Sequence, residues 1–176
     1  MSFASDARGE VARDLCTQRC CACSELAAAL LASGGISFRG INRFSLSLTA
    51  EAGAPMARVA AAAQAASLTG LEFISGIPGT LGGGCAMNAG AYGGQLSDVL
   101  VDAQVLLDGE VRTLSRDEMQ MGYRTTLPLR KGGVVLSARF QLQEGDGGAI
   151  LARMKELNAR RRDKQPLNLP SAGSVF

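Results

Sequence analysis

Between positions 76 and 94 the chain reads GIPGTLGGGCAMNAGAYGG, and glycine takes eight of those nineteen places. Glycine has no Cβ and tolerates positive φ, so successive backbone N–H groups can turn toward an anion that side chains would otherwise hold away. A phosphate or diphosphate is the guest that such a backbone suits. The bland alternative is a flexible linker, but linkers are rich in serine and carry no embedded apolar anchors. Here Ile77, Leu81, Met87 and Tyr92 interrupt the run and would pin it to a core. The segment therefore reads as a ligand loop.

At 176 residues the chain is long enough for one domain with a real core, or one domain and part of another. Hydrophobic residues make up 47% and charged residues 19%, the balance of a soluble globular protein. Alanine and glycine supply much of that apolar fraction, so a core of small side chains is expected. The net charge is +2, and basic residues are scattered apart from Arg160, Arg161, Arg162 and Lys164. That leaves no extended footprint for nucleic acid, although the local cluster suits a small phosphorylated ligand. No apolar run reaches the length of a membrane span, and the start has neither a basic region nor a long apolar one. The expectation is a cytoplasmic chain with no membrane partner. Four of the five cysteines crowd into Cys16, Cys20, Cys21 and Cys23, too close to staple a fold, and Cys85 sits in the glycine run. They read as free thiols in a reducing compartment.

Residues 1–35 differ from the rest of the chain, with clustered cysteines and an alanine-leucine run at 24–33 that suits a helix. After Gly34-Gly35 the pattern becomes strand-like, and FSLSLTA at 44–50 alternates as a half-buried strand does. Gly53-Ala54-Pro55 then opens a helix predicted to run to about Ser67 and to be stopped by Gly70, with Met56, Val59, Ala60 and Ala63 on its buried face. Segments 99–107 and 110–114 flank Asp108-Gly109, a pair suited to the positive φ values of a two-residue hairpin turn. Ser115 and Glu118 have capping-box spacing for a short helix. GVVLSARFQL at 133–142 reads as a strand, and 148–162 as a helix with Ile150, Leu151, Met154 and Leu157 at helical spacing. Pro166 and Pro170 mark its exit.

Three separated blocks coincide with one family: the glycine run at 76–94, GYRTT at 122–126, and RRRDKQPLNLPSAGSVF at 160–176. Together they resemble the UDP-N-acetylenolpyruvoylglucosamine reductase family, and the short distance between the last two blocks resembles its more compact type. The resemblance covers about 35–176. It implies an α+β fold, the second FAD-binding subdomain of the vanillyl-alcohol-oxidase/PCMH-type flavoprotein architecture, plus the start of a substrate-binding domain. The implied organisation is an atypical segment at 1–35, an FAD-binding subdomain at 36–146, and a helix with the beginning of the substrate-binding domain at 147–176.

By that resemblance, Gly76, Ile77, Pro78, Gly79, Thr80 and Gly82 lie along the FAD diphosphate, donating backbone N–H groups and the Thr80 hydroxyl. Asn88, Ala89, Gly90 and Tyr92 continue the lining. Backbone dipoles can hold a diphosphate without a dedicated lysine. The family reaction moves a hydride from NADPH through FAD to the enolpyruvyl ether of a UDP-sugar, and the adjacent carbon is then protonated. Arg124 matches the arginine that stabilises charge developing beside the substrate carboxylate, and Ser174 matches the serine that delivers the proton. Tyr123, Arg161 and Lys164 match substrate-binding positions. Read without the family, Tyr123 is a core aromatic, Arg124 a surface ion-pair partner, Ser174 a turn residue and the basic pair a solvated helix end.

Set beside the family, the chain is expected to be truncated at both ends, lacking the first flavin subdomain and most of the substrate domain. Apolar surface uncovered in this way would favour self-association, and the alternative to an enzyme is a non-catalytic flavin-domain fragment or one part of a split enzyme. A second rival lies in Cys16, Cys20 and Cys23, whose C-x3-C-x2-C spacing resembles the cluster motif of radical S-adenosylmethionine enzymes. Residue 22 is alanine where that family usually has an aromatic, and no βα repeat comes after it.

Overall fold

The computed structural model describes residues 35–42 and 45–165. The cysteine cluster, the helix expected at 24–33, Pro166, Pro170 and Ser174 lie outside the described residues.

Strands β1 (Ile36–Asn42) and β2 (Ser45–Glu51) form an antiparallel pair, and β2 pairs in turn with the long strand β8 (Val134–Glu144). On the other edge of β8 lie the two-residue strand β3 (Leu68–Thr69) and then β6 (Leu100–Leu107), which carries β7 (Glu110–Ser115) outermost. The order is β1-β2-β8-β6-β7 and every pairing is antiparallel. Asp108 and Gly109, at φ 53° and 81°, close the β6–β7 hairpin as their residue types predict.

The register of β6 against β8 shifts at Leu100/Asp102 and at Gln104/Val105. Each shift resets the two-residue alternation, so Leu100 and Ala103 both face the core, as do Val135 and Ala138. The opposite face of the sheet is polar, with Thr49, Asp102, Gln104, Thr113, Ser137 and Arg139 around a pocket of about 310 Å³. Arg139 and Asp102 form a two-pronged ion pair there, and the Asp102 carboxylate raises the arginine's affinity for its proton.

Helices cover the other face. Helix α1 (Met56–Ala65) buries the four residues expected, Met56, Val59, Ala60 and Ala63. It ends before Gly70 because Ser67 adopts φ 55° and donates its N–H to the Gln64 carbonyl, turning the chain into β3. Helix α2 (Leu81–Ala86) lies within the glycine run, and α3 (Leu127–Arg130) is a single turn. Helix α4 (Gly147–Lys164) is capped by the Asp146 carboxylate, which accepts from the N–H groups of Gly148 and Ala149. Of its four expected apolar contacts, Ile150 and Leu157 are buried, Met154 is half-buried and Leu151 is exposed. Phe140, Leu48, Leu142, Ile74 and Leu96 are fully enclosed between sheet and helices, each worth roughly 1.5–3 kcal/mol in burial.

One expected element is absent. Ser115 and Glu118 do exchange capping-box hydrogen bonds, Ser115 N–H to Glu118 Oε2 at 2.8 Å and Glu118 N–H to Ser115 Oγ at 3.4 Å. The chain after them is a series of turns over 116–120, not a helix. Gln120 takes φ 46°, which ends the coil after one turn, and Met119 points fully into the core.

Candidate ligand site

The glycine run is welded to the chain between β2 and α1. Gly82 N–H donates to Ala52 O (2.9 Å), Leu81 N–H to Ala54 O (2.9 Å), and Met56 N–H to Gly79 O (3.1 Å). The expected ligand loop is in part a helix: six of the nineteen residues form α2, whose Leu81, Gly82, Gly84 and Cys85 are buried. The small residues there serve packing. A Cβ on Gly82 would stand 2.7 Å from the Ala52 Cβ, and one on Gly84 would stand 2.6 Å from the Met56 sulfur. Gly76 is likewise a docking point, since a Cβ there would meet Asn158 Oδ1 of α4 at 2.3 Å. Burial pushes the Cys85 thiol up to about 12.

The expected backbone donors therefore divide. Ile77 N–H is spent on Ile74 O, Gly82 N–H on Ala52 O, Ala89 N–H on Gly84 O, and Pro78 has none. Among the described residues, the N–H groups of Gly79, Thr80 and Gly83 meet no acceptor, and the Thr80 hydroxyl makes no cap to its own helix. Gly79 has φ +121°, and a Cβ on Gly83 would have nothing closer than 3.8 Å. These amides and the Thr80 hydroxyl lie at the start of α2.

A pocket lies at the far end of α2, about 9 Å away at 1.5 Å per residue. There the short hairpin of β4 (Gly90–Ala91) and β5 (Gly94–Gln95) meets a two-residue turn with Tyr123 and Arg124 at its tip. The turn is closed by Gly122 N–H to Thr125 O at 2.9 Å. Asn88, Gly90, Gly93, Gly94, Gln95, Tyr123 and Arg124 enclose a pocket of about 310 Å³. Two motifs that are separate in sequence thus share one cavity. Ala89 and Tyr92, expected in the lining, do not border it; Ala89 is buried with both backbone groups bonded, and Tyr92 is exposed at φ 56°.

Tyr123 is 88% exposed, which rules out its reading as a core aromatic. Arg124 sits 5.8 Å above the Tyr123 ring, a cation–π distance. Among the described residues it has no carboxylate partner, so the ion-pair reading fails as well. Its φ is 55°, an arrangement costing a branched or long side chain about 1–2 kcal/mol. Two residues that sequence reasoning passed over secure this turn. Thr126, fully buried, donates its hydroxyl to Ala86 O at the end of α2 (2.7 Å) and accepts from Leu129 N–H (3.3 Å). Gln95 bonds Asn88 through its Oε1 and Asp98 through its Nε2. The only sequence signals were position: Thr126 closes the GYRTT block, and Gln95 directly adjoins the glycine run.

A family model described as FAD binding domain matches residues 31–115. Over 130 residues the chain is 56% identical to the UDP-N-acetylenolpyruvoylglucosamine reductase of Agathobacter rectalis, a match spanning 73% of this chain and 41% of that one. The corresponding reductase of Levilactobacillus brevis is 55% identical over the same length, with 73% and 43% covered. The crystal structure of the Thermus caldophilus enzyme superposes with a TM-score of 0.60 at 38% identity, covering 65% of this chain and 42% of that one. The chain belongs to the UDP-N-acetylenolpyruvoylglucosamine reductase family. It spans less than half the length of these relatives.

As in the reductase family, the fold is α+β, with the flavoprotein architecture that the motifs imply. The last two described site residues stand apart from the pocket. Arg161 lies on the final turn of α4, its stem beside Gly76 and its Nε bonded to Gln165 Oε1 at 3.0 Å, while Lys164 is solvent-exposed. Among the described residues no helix is long and apolar enough to cross a membrane, and no group of three or more His, Cys, Asp or Glu is placed to hold a metal ion.

Proposed function

We propose that this chain is the flavin-holding part of a cytoplasmic enzyme that uses NADPH to reduce UDP-N-acetylglucosamine enolpyruvate to UDP-N-acetylmuramate, a precursor of peptidoglycan. The observation that carries the reading is the meeting of the glycine segment with the Tyr123-Arg124 turn in one pocket, on a chain 56% identical to a reductase of that name.

The residues present fit FAD. The unspent amides of Gly79, Thr80 and Gly83 and the free Thr80 hydroxyl offer donors on backbone that is exposed or half-buried, as a diphosphate requires. When bound, the flavin supplies hydride transfer. The chain's own part is to bind and orient. Arg124, exposed at the rim and free of a carboxylate partner among the described residues, would hold the substrate carboxylate and counter the negative charge that builds beside it. That interaction is stronger in the transition state than in the ground state. Tyr123 would flank the same substrate and keep the guanidinium fixed beneath it. Ser174 would hold the proton for the adjacent carbon. Residues 36–146 would form the flavin unit and 147–176 would lead into the substrate-binding part, with Arg161 and Lys164 carried toward the substrate diphosphate on the last turn of α4.

The test is an FAD titration of the chain, monitored by flavin fluorescence, with Thr80→Asp as control. Aspartate is a good helix N-cap and Thr80 has an ordinary φ of −96°, so the variant should fold while its carboxylate repels a diphosphate. Saturable binding lost by at least tenfold in the variant is expected. A folded wild-type chain that does not bind, or a variant that binds equally well, would overturn the proposal.

A further inference from the structure

The family resemblance sets Asn88 against the cofactor. Its surroundings give it another task. The side chain is buried at 6% exposure and the backbone sits at φ 45°, a region that asparagine tolerates better than most residues. Its Oδ1 accepts from Ser97 N–H at 3.0 Å, and its Nδ2 donates to Gly122 O at 3.3 Å and to Gln95 Oε1 at 3.1 Å. Two of these partners are backbone groups of fixed polarity, so the amide has only one orientation that satisfies both. Both Nδ2 hydrogens are used, and the oxygen is occupied. Little is left for a ligand.

The bond to Gly122 O falls on the first residue of the turn that presents Tyr123 and Arg124. On the other side of the turn, Thr126 is tied to Ala86 O. Both ties run to the C-terminal end of α2, within two residues of each other, so the glycine helix and the arginine turn are held as one body. The tie matters because Arg124 occupies a strained φ of 55° that the turn does not adopt for free.

We infer that Asn88 is a positioning residue: through the Gly122 carbonyl it fixes where Arg124 points, and its amide has no hydrogen left to donate to the cofactor. This rests on the reading of Arg124 as the substrate-facing arginine. Asn88→Asp is the sharpest probe. The carboxylate still accepts from Ser97 but faces the Gly122 carbonyl and the Gln95 oxygen without a proton to give.

The experiment combines amide exchange and side-chain NMR of the full chain, with FAD affinity measured in parallel. In Asn88→Asp, exchange at Gly122 and Thr125 should rise at least fivefold, and the ring-current shift of the Arg124 guanidinium, which lies over the Tyr123 ring, should vanish. Exchange in β8 should stay within twofold of wild type. Leu142→Ala, which loosens the core away from the turn, should leave the Arg124 shift in place. If Asn88→Asp does not fold, Gln95→Ala removes one partner from an exposed position and should give a smaller change of the same kind, about twofold. Unchanged turn exchange with FAD binding weakened tenfold would overturn the inference and make Asn88 a cofactor contact. Loss of the Arg124 shift in Leu142→Ala would overturn it too, since any destabilisation would then suffice. If wild type binds no FAD, the functional reading fails, while exchange and shift still decide the role of Asn88.

Discussion

Arg124 and Cys85 show how far a side chain's chemistry depends on where the backbone puts it. Arg124 is solvent-exposed, without a carboxylate partner among the described residues, and held at φ 55°, so it is retained at a cost to the turn. Arg124→Gly should therefore raise thermal stability or leave it unchanged, a gain of up to about 1 kcal/mol from relieved strain. Under the proposed function the same substitution should abolish substrate reduction while leaving FAD affinity intact. A variant that melts earlier than wild type would show that the turn is not strained. Cys85 is the opposite case, a thiol with no access to solvent. N-ethylmaleimide at pH 8 should leave it unmodified in native protein and modify it fully in denaturant, as peptide mapping would report. Unfolding frees a thiol that ionises near 9.0, whereas the folded form keeps its proton to about 12. The stability it contributes is complete below pH 9 and is lost as pH climbs through that window. Cys85→Val should flatten this alkaline slope, seen as a smaller drop in melting temperature between pH 8.5 and 10.5.

At the scale of an element, helix α2 is the instructive one, because its sequence LGGGCA is among the poorest for intrinsic helix formation. Packing holds it: Gly82 and Gly84 let the helix approach Ala52 and Met56 more closely than any Cβ would permit. Neighbouring glycines should then respond in opposite directions. Gly83→Ala meets only ordinary contact, at 3.8 Å, and should stabilise by about 1 kcal/mol through propensity alone. Gly82→Ala gains the same propensity but drives a methyl to 2.7 Å from Ala52, where overpacking costs roughly 1–3 kcal/mol, so net destabilisation is expected. Chemical denaturation of the two variants checks the pair, and equal signs would refute the packing account. The capping box at Ser115 and Glu118 teaches a related lesson. Its hydrogen bonds form and hold the Glu118 carboxyl below its usual range, chiefly through the Ser115 hydroxyl. Yet a cap only satisfies the first N–H groups, and here Gln120 turns away before a helix can propagate.

Across the whole molecule, the elements with strong local patterns were legible in advance. The amphipathic face of α1, the Asp108-Gly109 hairpin and the strand at β8 arise from periodicity and turn chemistry, which act between near neighbours. The family was legible too, because three motif blocks recur in order. What sequence could not show was the use of each glycine. The same residue type that frees an amide at Gly79 lets α4 dock at Gly76 and α2 settle at Gly82, and only the position of a distant partner separates these cases. Nor could it show that Asn88, 34 residues before Gly122, bonds that carbonyl, or that the bulges in β6 and β8 would bring Asp102 opposite Arg139. The sequence by itself determined the local conformations and the family, since both are written in contiguous residues. The tertiary structure alone decided which backbone donors remain unspent and which side chains hold Arg124 in place, because hydrogen-bond satisfaction is settled by groups far apart in the chain.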